Sequence, residues 1–293
     1  MTLRAFAERV VRGTTLDDKL AIPALEASGL EDSLRHPGAR EAPIRITEPG
    51  RPPGLAIVSG RSVRVPPIAG MRDPAQRARI LHALANHELQ AIELFAWALL
   101  AYPDAPAAFR RGLVAILVDE QRHFGLYRER LAALGVAFGD HPVTGHFWNK
   151  LDHLATPIDF VCAMGLTFEN ANLDFAGEYA RAARACGDVA TAEALERVHL
   201  DEIRHVHFAY VWLVRFDRER SVGGARSSPK GESGSIDRPP WQVYLEHAAF
   251  PLGPRRARGA TFDREARERA GLDAAFIDAL AATEPTRPSG EKR

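Results

Sequence analysis

The sequence is poor in several features that would point to particular classes of protein. Its only two cysteines, Cys162 and Cys186, lie in or near one predicted helix, too far apart to bridge. This excludes a disulfide framework and favours a reducing cytoplasm. The formal net charge is zero, so no overall field attracts nucleic acid or an anionic membrane. No run approaches the roughly 20 apolar residues of a membrane span, and the N-terminus lacks a signal-length apolar core. We therefore expect a soluble cytoplasmic protein.

Helical periodicity dominates the middle of the chain. We predict long helices at about 72–101, 107–134, 157–188 and 190–216. Their connections are short, long and short, which predicts two antiparallel pairs joined by a long crossover between helices two and three. This is the topology of an all-α, ferritin-like four-helix bundle. The predicted organisation is an N-terminal helical and extended segment at 1–70, the bundle at 71–217, a flexible loop at 218–240, a C-terminal helical extension at 241–283 and a disordered tail at 284–293.

One five-residue pattern, Asp-Glu-x-Arg-His, occurs twice, at 119–123 and at 201–205. Each copy follows a lone helical glutamate at nearly the same distance, because Glu88 lies 32 residues before Glu120 and Glu169 lies 33 before Glu202. A Glu and a His three apart project from one face of a helix. Two such pairs, with one glutamate from each of two further helices, form the ligand set of a carboxylate-bridged di-metal site. The predicted ligands are Glu88, Glu120, His123, Glu169, Glu202 and His205.

The alternative interpretation of the repeated pattern is a pair of amphipathic helices with solvated Glu and His side chains. Against it, Glu120 and His123 lie on the apolar stripe of the second helix, and Glu202 and His205 lie on that of the fourth. An ionised carboxylate on a core-facing stripe costs several kcal/mol unless a partner compensates it, and a divalent metal supplies that compensation. The pattern therefore favours a metal site.

The charged neighbours of the ligands fit as outer partners. A metal-bound imidazole usually donates its other N–H to a carboxylate. Asp119 could reach His205, and Asp201 could reach His123. Arg122 and Arg204 could neutralise these two aspartates, and ordinary surface ion pairing is the alternative for all four.

The chain resembles an uncharacterised bacterial family of ferritin-like proteins. The resemblance rests on the segments at 87–93 (His-Glu-Leu-Gln-Ala-Ile-Glu), 119–123 and 168–174 (Phe-Glu-Asn-Ala-Asn-Leu-Asp), extends over about 75–217 and resumes at 254–280. It implies a four-helix bundle with a di-iron or di-manganese centre and an unassigned substrate. More distantly, the chain is similar to a tRNA-modifying di-iron hydroxylase, to bacterial multicomponent monooxygenases, which also carry Asp-Glu-x-Arg-His, and to the small subunit of ribonucleotide reductase.

The ligand set predicts an O₂-dependent di-iron oxidoreductase, a hydroxylase or oxidase, acting on an unidentified organic substrate. The expected cofactor is two Fe per chain, with Mn or mixed Mn/Fe as alternatives, because oxygen ligands with imidazole suit iron or manganese. The implied partners are a small-molecule substrate and O₂, with an electron-donor protein and a homodimer left open. Nucleic acid is disfavoured, and no membrane is expected. The competing functions are ferritin- or rubrerythrin-like iron handling or peroxide detoxification, and a metal-free helical scaffold.

Several further residues leave alternatives open. Tyr127, one turn after His123, is either a redox-active side chain or an ordinary core tyrosine. Gly165 either leaves space near the metals or allows close helix packing. His87 and Glu93 are rotated away from the face of Glu88 and are expected to be outer partners or surface groups. The remaining candidates are His199, as a lining residue of the site entrance or an interior histidine, and the cluster Arg255, Arg256 and Arg258, as a weak phosphate or RNA site.

Overall fold

The computed structural model describes residues 1–22, 41–225, 238–248 and 251–285. These residues form ten α-helices and almost no strand, which confirms the predicted all-α class. The strands are two residues each, with β1 (Ile57–Val58) pairing in parallel with β2 (Val143–Thr144). None of the described helices combines the length and the apolarity needed to cross a bilayer. The chain divides into two compact units.

The first unit comprises residues 1–152 and 181–194. It contains α1 (Leu3–Arg12), α2 (Leu16–Lys19), α3 (Pro74–Ala101) and α4 (Ala107–Ala133). Between α2 and α3 the described chain is irregular, with short 3-10 turns at Pro53–Leu55, Gly60–Ser62 and Ile68–Arg72.

The boundaries of the first unit's helices follow from local chemistry. The Asp73 side chain accepts the N–H of Gln76 at the start of α3. After α4, Gly135 has a φ of 74°, a left-handed conformation that glycine adopts at little cost. The Thr15 side chain caps α2 by accepting the N–H of Asp18. The short link between α3 and α4 makes these two long helices antiparallel neighbours.

The second unit comprises residues 153–180 and 195–293. Its first helical stretch consists of α5 (Pro157–Ala163), a π-helical segment (Met164–Glu169) and α6 (Asn170–Ala185), without a break. Then come α7 (Val189–Ala225), α8 (Pro240–His247), α9 (Arg264–Arg269) and α10 (Ala274–Ala281). Residues 181–194, which include the turn between α6 and α7, group with the first unit.

The third long helix begins where the sequence predicts and differs inside. Thr156 and Asp159 form a capping box at its N-terminus. The Thr156 hydroxyl accepts the backbone N–H of Asp159, and the Asp159 carboxylate accepts the backbone N–H of Thr156. The sequence predicts a regular helix from there to about residue 188, whereas six residues are π-helical. α7 is also longer than the predicted 190–216, since it continues to Ala225 into the segment predicted as a loop. Residues 226–237 of that predicted loop, and 286–293 of the predicted tail, lie outside the described residues.

A buried ion pair anchors the C-terminal extension on α6. The Arg267 guanidinium donates to both oxygens of Asp174, at 2.7 and 2.9 Å, and both side chains are fully buried. Asp174 also accepts the backbone N–H groups of Gly259 and Asp263. This bidentate geometry satisfies both carboxylate oxygens, which is the condition under which a buried charge pair is tolerated.

Candidate metal centre

Three predicted ligands meet inside the first unit. Glu88 lies in the middle of α3, and Glu120 and His123 lie one turn apart on α4. All three are buried, and one ligand atom of each lies within 4.8 Å of the others. His123 Nδ1 is 3.6 Å from Glu120 Oε2 and 3.9 Å from Glu88 Oε2. We call Glu88, Glu120 and His123 the first triad.

The second unit contains an equivalent arrangement. Glu169 is the last residue of the π-helical segment, and Glu202 and His205 lie one turn apart on α7. They are buried, again with ligand atoms within 4.8 Å of one another. His205 Nδ1 lies 3.4 Å from Glu202 Oε2 and 3.9 Å from Glu169 Oε1. We call Glu169, Glu202 and His205 the second triad.

The distances inside the triads fit metal ligation better than hydrogen bonding. N–H···O hydrogen bonds have donor–acceptor distances of about 2.7–3.2 Å, whereas these N···O distances are 3.4–3.9 Å. Two ligand atoms with bonds of about 2.1 Å to one metal, at angles of about 90–120°, lie about 3.0–3.6 Å apart. The triad distances are therefore close to those between ligands that share an ion. In addition, Glu202 Oε2 is buried and accepts no hydrogen bond from the residues that the structure describes.

The ligand chemistry of each triad is one imidazole and two carboxylates. In both triads the nitrogen that faces the carboxylates is Nδ1, which leaves Nε2–H to donate to an outer partner. Carboxylate oxygens with imidazole suit divalent first-row metals such as iron and manganese. Each buried group could therefore hold a metal ion.

An asparagine that sequence analysis missed supports the second triad. Asn172 Nδ2 donates to Glu202 Oε1 at 2.8 Å, which fixes the orientation of that carboxylate. Asn172 lies three residues after Glu169 and therefore on the same helix face, so its spacing could have identified it.

The predicted outer partners form pairs on their own helices. Arg122 donates to Asp119 within α4. The fully buried Asp201 on α7 is paired with Arg204 at 2.8 Å and with Arg197 at 3.1 Å. Of these two arginines, only Arg204 was predicted from the sequence. That the two aspartates accept N–H groups from the triad histidines stays a prediction.

Glu93 lies on α3, five residues after Glu88. Glu93 is fully buried, which corrects the surface alternative for it: Arg51 donates to it at 2.7 Å, Trp148 Nε1 at 2.8 Å, and Lys19 Nζ lies at 3.2 Å. Burial lowers the pKa of Lys19, and the neighbouring Glu93 opposes that shift.

His87 and Tyr127 both lie in the first unit. The His87 ring packs at a tilt against those of His146 and Phe147, and burial lowers the pKa of its imidazole to about 4, so the ring is neutral. Tyr127 is buried on α4 one turn after His123, and its redox role stays a prediction.

His199 and Gly165 are the remaining candidates of the second unit, and each contacts a residue outside the second triad. His199 Nε2 lies 3.1 Å from Asp263 Oδ2. A Cβ on Gly165 would lie 2.1 Å from the Cβ of Ala209, so this glycine serves close helix packing.

The arginine cluster is also engaged in the described structure. Arg258 is buried and donates to the carbonyl oxygens of Ala281, Thr283 and Gly259. Arg255 lies 3.2 Å from Glu284. Arg258 is therefore committed to these carbonyl groups, whereas the pair of Arg255 with Glu284 is largely exposed.

Comparison with known proteins gives one match. The model of a family described as "Protein of unknown function (DUF455)" matches residues 12–278, and the chain belongs to this family. No curated protein and no solved structure matches the chain.

Proposed function

We propose that the two triads together hold a dinuclear iron centre in an O₂-dependent oxidoreductase, a hydroxylase or oxidase of an organic substrate. The observation that carries the proposal is the repetition of one buried Glu, Glu, His arrangement in two pairs of helices. A ferritin-like four-helix bundle with a long crossover would bring four such helices around one axis. Manganese, or one ion of each metal, is the alternative for the same ligands.

The residues have distinct roles in the proposed centre. His123 and His205 would bind through Nδ1, and Glu88 and Glu169 would each supply a carboxylate from a neighbouring helix. Glu120 and Glu202 would complete the set of residues that hold the two ions. Asn172 keeps Glu202 oriented by donating to the oxygen that does not face His205.

Bound iron would supply the reduction of O₂, and the chain's own residues would keep the site dry and oriented. The triad side chains are buried, so the carboxylates stand in a low-dielectric environment where their charge is worth most to a cation. An electron-donor protein and a substrate are further requirements of the proposal.

The deciding experiment is metal content per chain after anaerobic Fe(II) reconstitution, followed by the optical spectrum as O₂ is admitted. We expect about two irons per chain, the number a dinuclear centre holds, and a new near-ultraviolet band. Glu120→Ala and Glu202→Ala should abolish this stoichiometry. Glu129→Ala on α4 and Glu193→Ala on α7 are matched controls, because both carboxylates are exposed, and they should retain it.

Each other result points to a different function. Progressive loading far beyond two irons would favour iron storage. Zero to one iron, unchanged by the ligand substitutions, would contradict the dinuclear centre and favour a metal-free scaffold.

A further inference from the structure

The helix that carries Glu169 is not a regular α-helix. Residues Met164–Glu169 are π-helical, and Glu169 is the last residue of this segment. A π segment amounts to one extra residue in an α-helix and is rare, because its hydrogen bonds and packing are poorer. Something must therefore stabilise this segment against the regular alternative.

A chain of hydrogen bonds from the C-terminal extension ends inside the π segment. Thr167 Oγ1 lies 2.8 Å from the carbonyl oxygen of Cys162 and 2.8 Å from the hydroxyl oxygen of Tyr244. A threonine hydroxyl has one proton. Because the carbonyl of Cys162 can only accept, Thr167 donates to it, and Tyr244 donates to Thr167. A longer contact of 3.1 Å joins Thr167 Oγ1 to the carbonyl of Leu252.

Tyr244 is itself held rigidly. It is fully buried on α8, and its ring packs at 5.6 Å from Trp241 and 5.4 Å from Phe276, measured between ring centroids. Burial raises the pKa of the Tyr244 hydroxyl, so its proton stays in place to be donated. Thr167 is also fully buried, so water does not compete for these bonds.

The opposite side of the segment is fixed by packing. The Cβ that Gly165 lacks would lie 2.1 Å from the Cβ of Ala209 on α7. Asn170 Nδ2 donates to the carbonyl of Leu166, one further bond across the end of the segment. The π segment is thus constrained by Ala209 on one side and by Tyr244, through Thr167, on another.

We propose that Thr167 and Tyr244 are positioning residues for Glu169: they hold the π-helical register that directs this carboxylate into the second triad. If this segment were a regular α-helix, its turn would contain one residue fewer. Glu169 would then be rotated by about 100° relative to α5. The C-terminal extension would then be required for metal binding although it supplies no ligand. This inference rests on the proposed function, because the proposed dinuclear centre is what places a metal ion at the second triad.

The test compares conservative variants by two measurements. Tyr244→Phe and Thr167→Val each remove one hydroxyl with little change of volume, and Thr167→Ser keeps the hydroxyl. Tyr210→Phe is the matched control, because it also removes one tyrosine hydroxyl from the second unit. The Tyr210 hydroxyl donates to Asp273 at 2.5 Å, a part-buried contact that involves no residue of the π segment, and phenylalanine keeps the ring that packs on Phe276. The first measurement is Mn(II) binding, followed by calorimetry and by the electron paramagnetic resonance spectrum. The second is amide hydrogen exchange over residues 164–170 in metal-free protein.

We expect Tyr244→Phe and Thr167→Val to weaken binding of one Mn(II) by about 10–100-fold, the usual loss when an outer partner is removed. Amide exchange at 164–170 should accelerate in the same two variants. Thr167→Ser and Tyr210→Phe should stay within about twofold of the wild type in both measurements.

The two measurements separate the inference from the proposed function. Two Mn(II) per chain in the wild type, with unchanged affinity in Tyr244→Phe and Thr167→Val, would overturn the positioning role and leave the dinuclear centre standing. No Mn(II) and no Fe(II) in the wild type would overturn the dinuclear centre and the positioning role with it. Accelerated exchange in that case would show only that the hydroxyls hold the π register.

Discussion

The two triads contain the same side chains in the same order, and they are supported in different ways. In the first unit, Glu88 stands on the regular helix α3, and five residues further on Glu93 is fixed by Lys19 and Arg51. In the second unit, Glu169 stands at the end of a π segment whose Thr167 is bonded to Tyr244 on α8. The ligand pattern is therefore repeated, but the contacts that hold the ligand-bearing helices in place are not. Similar positions of a carboxylate can be reached from a regular helix or from one with an inserted residue.

The largest expected effect comes from removing one histidine from either triad. We expect His123→Ala and His205→Ala to weaken the binding of both ions, by more than the roughly 10–100-fold that loss of an outer partner costs. The reason is that the two ions of the proposed centre would depend on one another for binding. Fe(II) titration under anaerobic conditions measures both affinities. Retention of one ion at wild-type affinity in either variant would mean two independent mononuclear sites.

The next comparison concerns one buried carboxylate in each unit that is paired with a buried cation. We expect Glu93→Gln in the first unit and Asp174→Asn in the second to lower the free energy of unfolding by about 3–5 kcal/mol, because each leaves a buried cation uncompensated. Urea unfolding measures the change. Asp278→Ala is the control, since its pair with Arg264 is largely exposed and should be worth about 0–1 kcal/mol. Losses below 1 kcal/mol in both buried variants would show that these networks are solvated.

A pH dependence is expected in the first unit. Burial, with a smaller effect of the nearby His141, lowers the pKa of His82 from 6.5 to about 4. The unfolded chain therefore binds more protons between these two values, and His82 costs stability as the pH falls through this window. His82→Gln keeps an acceptor for the N–H of Gly139 and does not titrate.

Metal-free wild type should accordingly lose about 2 kcal/mol more unfolding free energy than His82→Gln between pH 7.5 and pH 5. Urea unfolding at the two pH values checks this. Parallel losses in the two proteins would contradict the burial of a neutral His82.

The smallest effects should separate two helical glycines. Gly165→Ala in the second unit is expected to cost about 1–3 kcal/mol, because its Cβ would overlap Ala209. Gly125→Ala on α4 in the first unit meets no atom within 4 Å and should stabilise by about 0.5–1 kcal/mol through helix propensity. Thermal unfolding of the two variants gives the comparison. Equal effects of the same sign would contradict the close packing at Gly165.

The sequence predicted the features that depend on short separations along the chain. The helices at Pro74–Ala101 and Ala107–Ala133 agree closely with prediction, because Pro103, Pro106 and Gly135 mark their limits locally. The Glu-x-x-His pairs were predictable for the same reason, since three residues make almost one helical turn. The ferritin-like crossover and the metal itself stay predictions.

The features that the sequence missed depend on contacts between distant residues. Burial of Glu93 needs Lys19, 74 positions away, and Arg51, 42 positions away. The bond from Tyr244 to Thr167 joins residues 77 apart, and the one from Asn172 to Glu202 joins residues 30 apart. No local pattern encodes such distances.

The sequence by itself thus determined an all-α chain and two helix faces that each carry a glutamate and a histidine, because helical periodicity is a property of neighbouring residues. Only the tertiary structure decided that Met164–Glu169 is π-helical. Six residues are too few for apolar spacing to distinguish the two registers, and the balance between them depends on how Gly165 packs against Ala209 and on how Tyr244 bonds to Thr167.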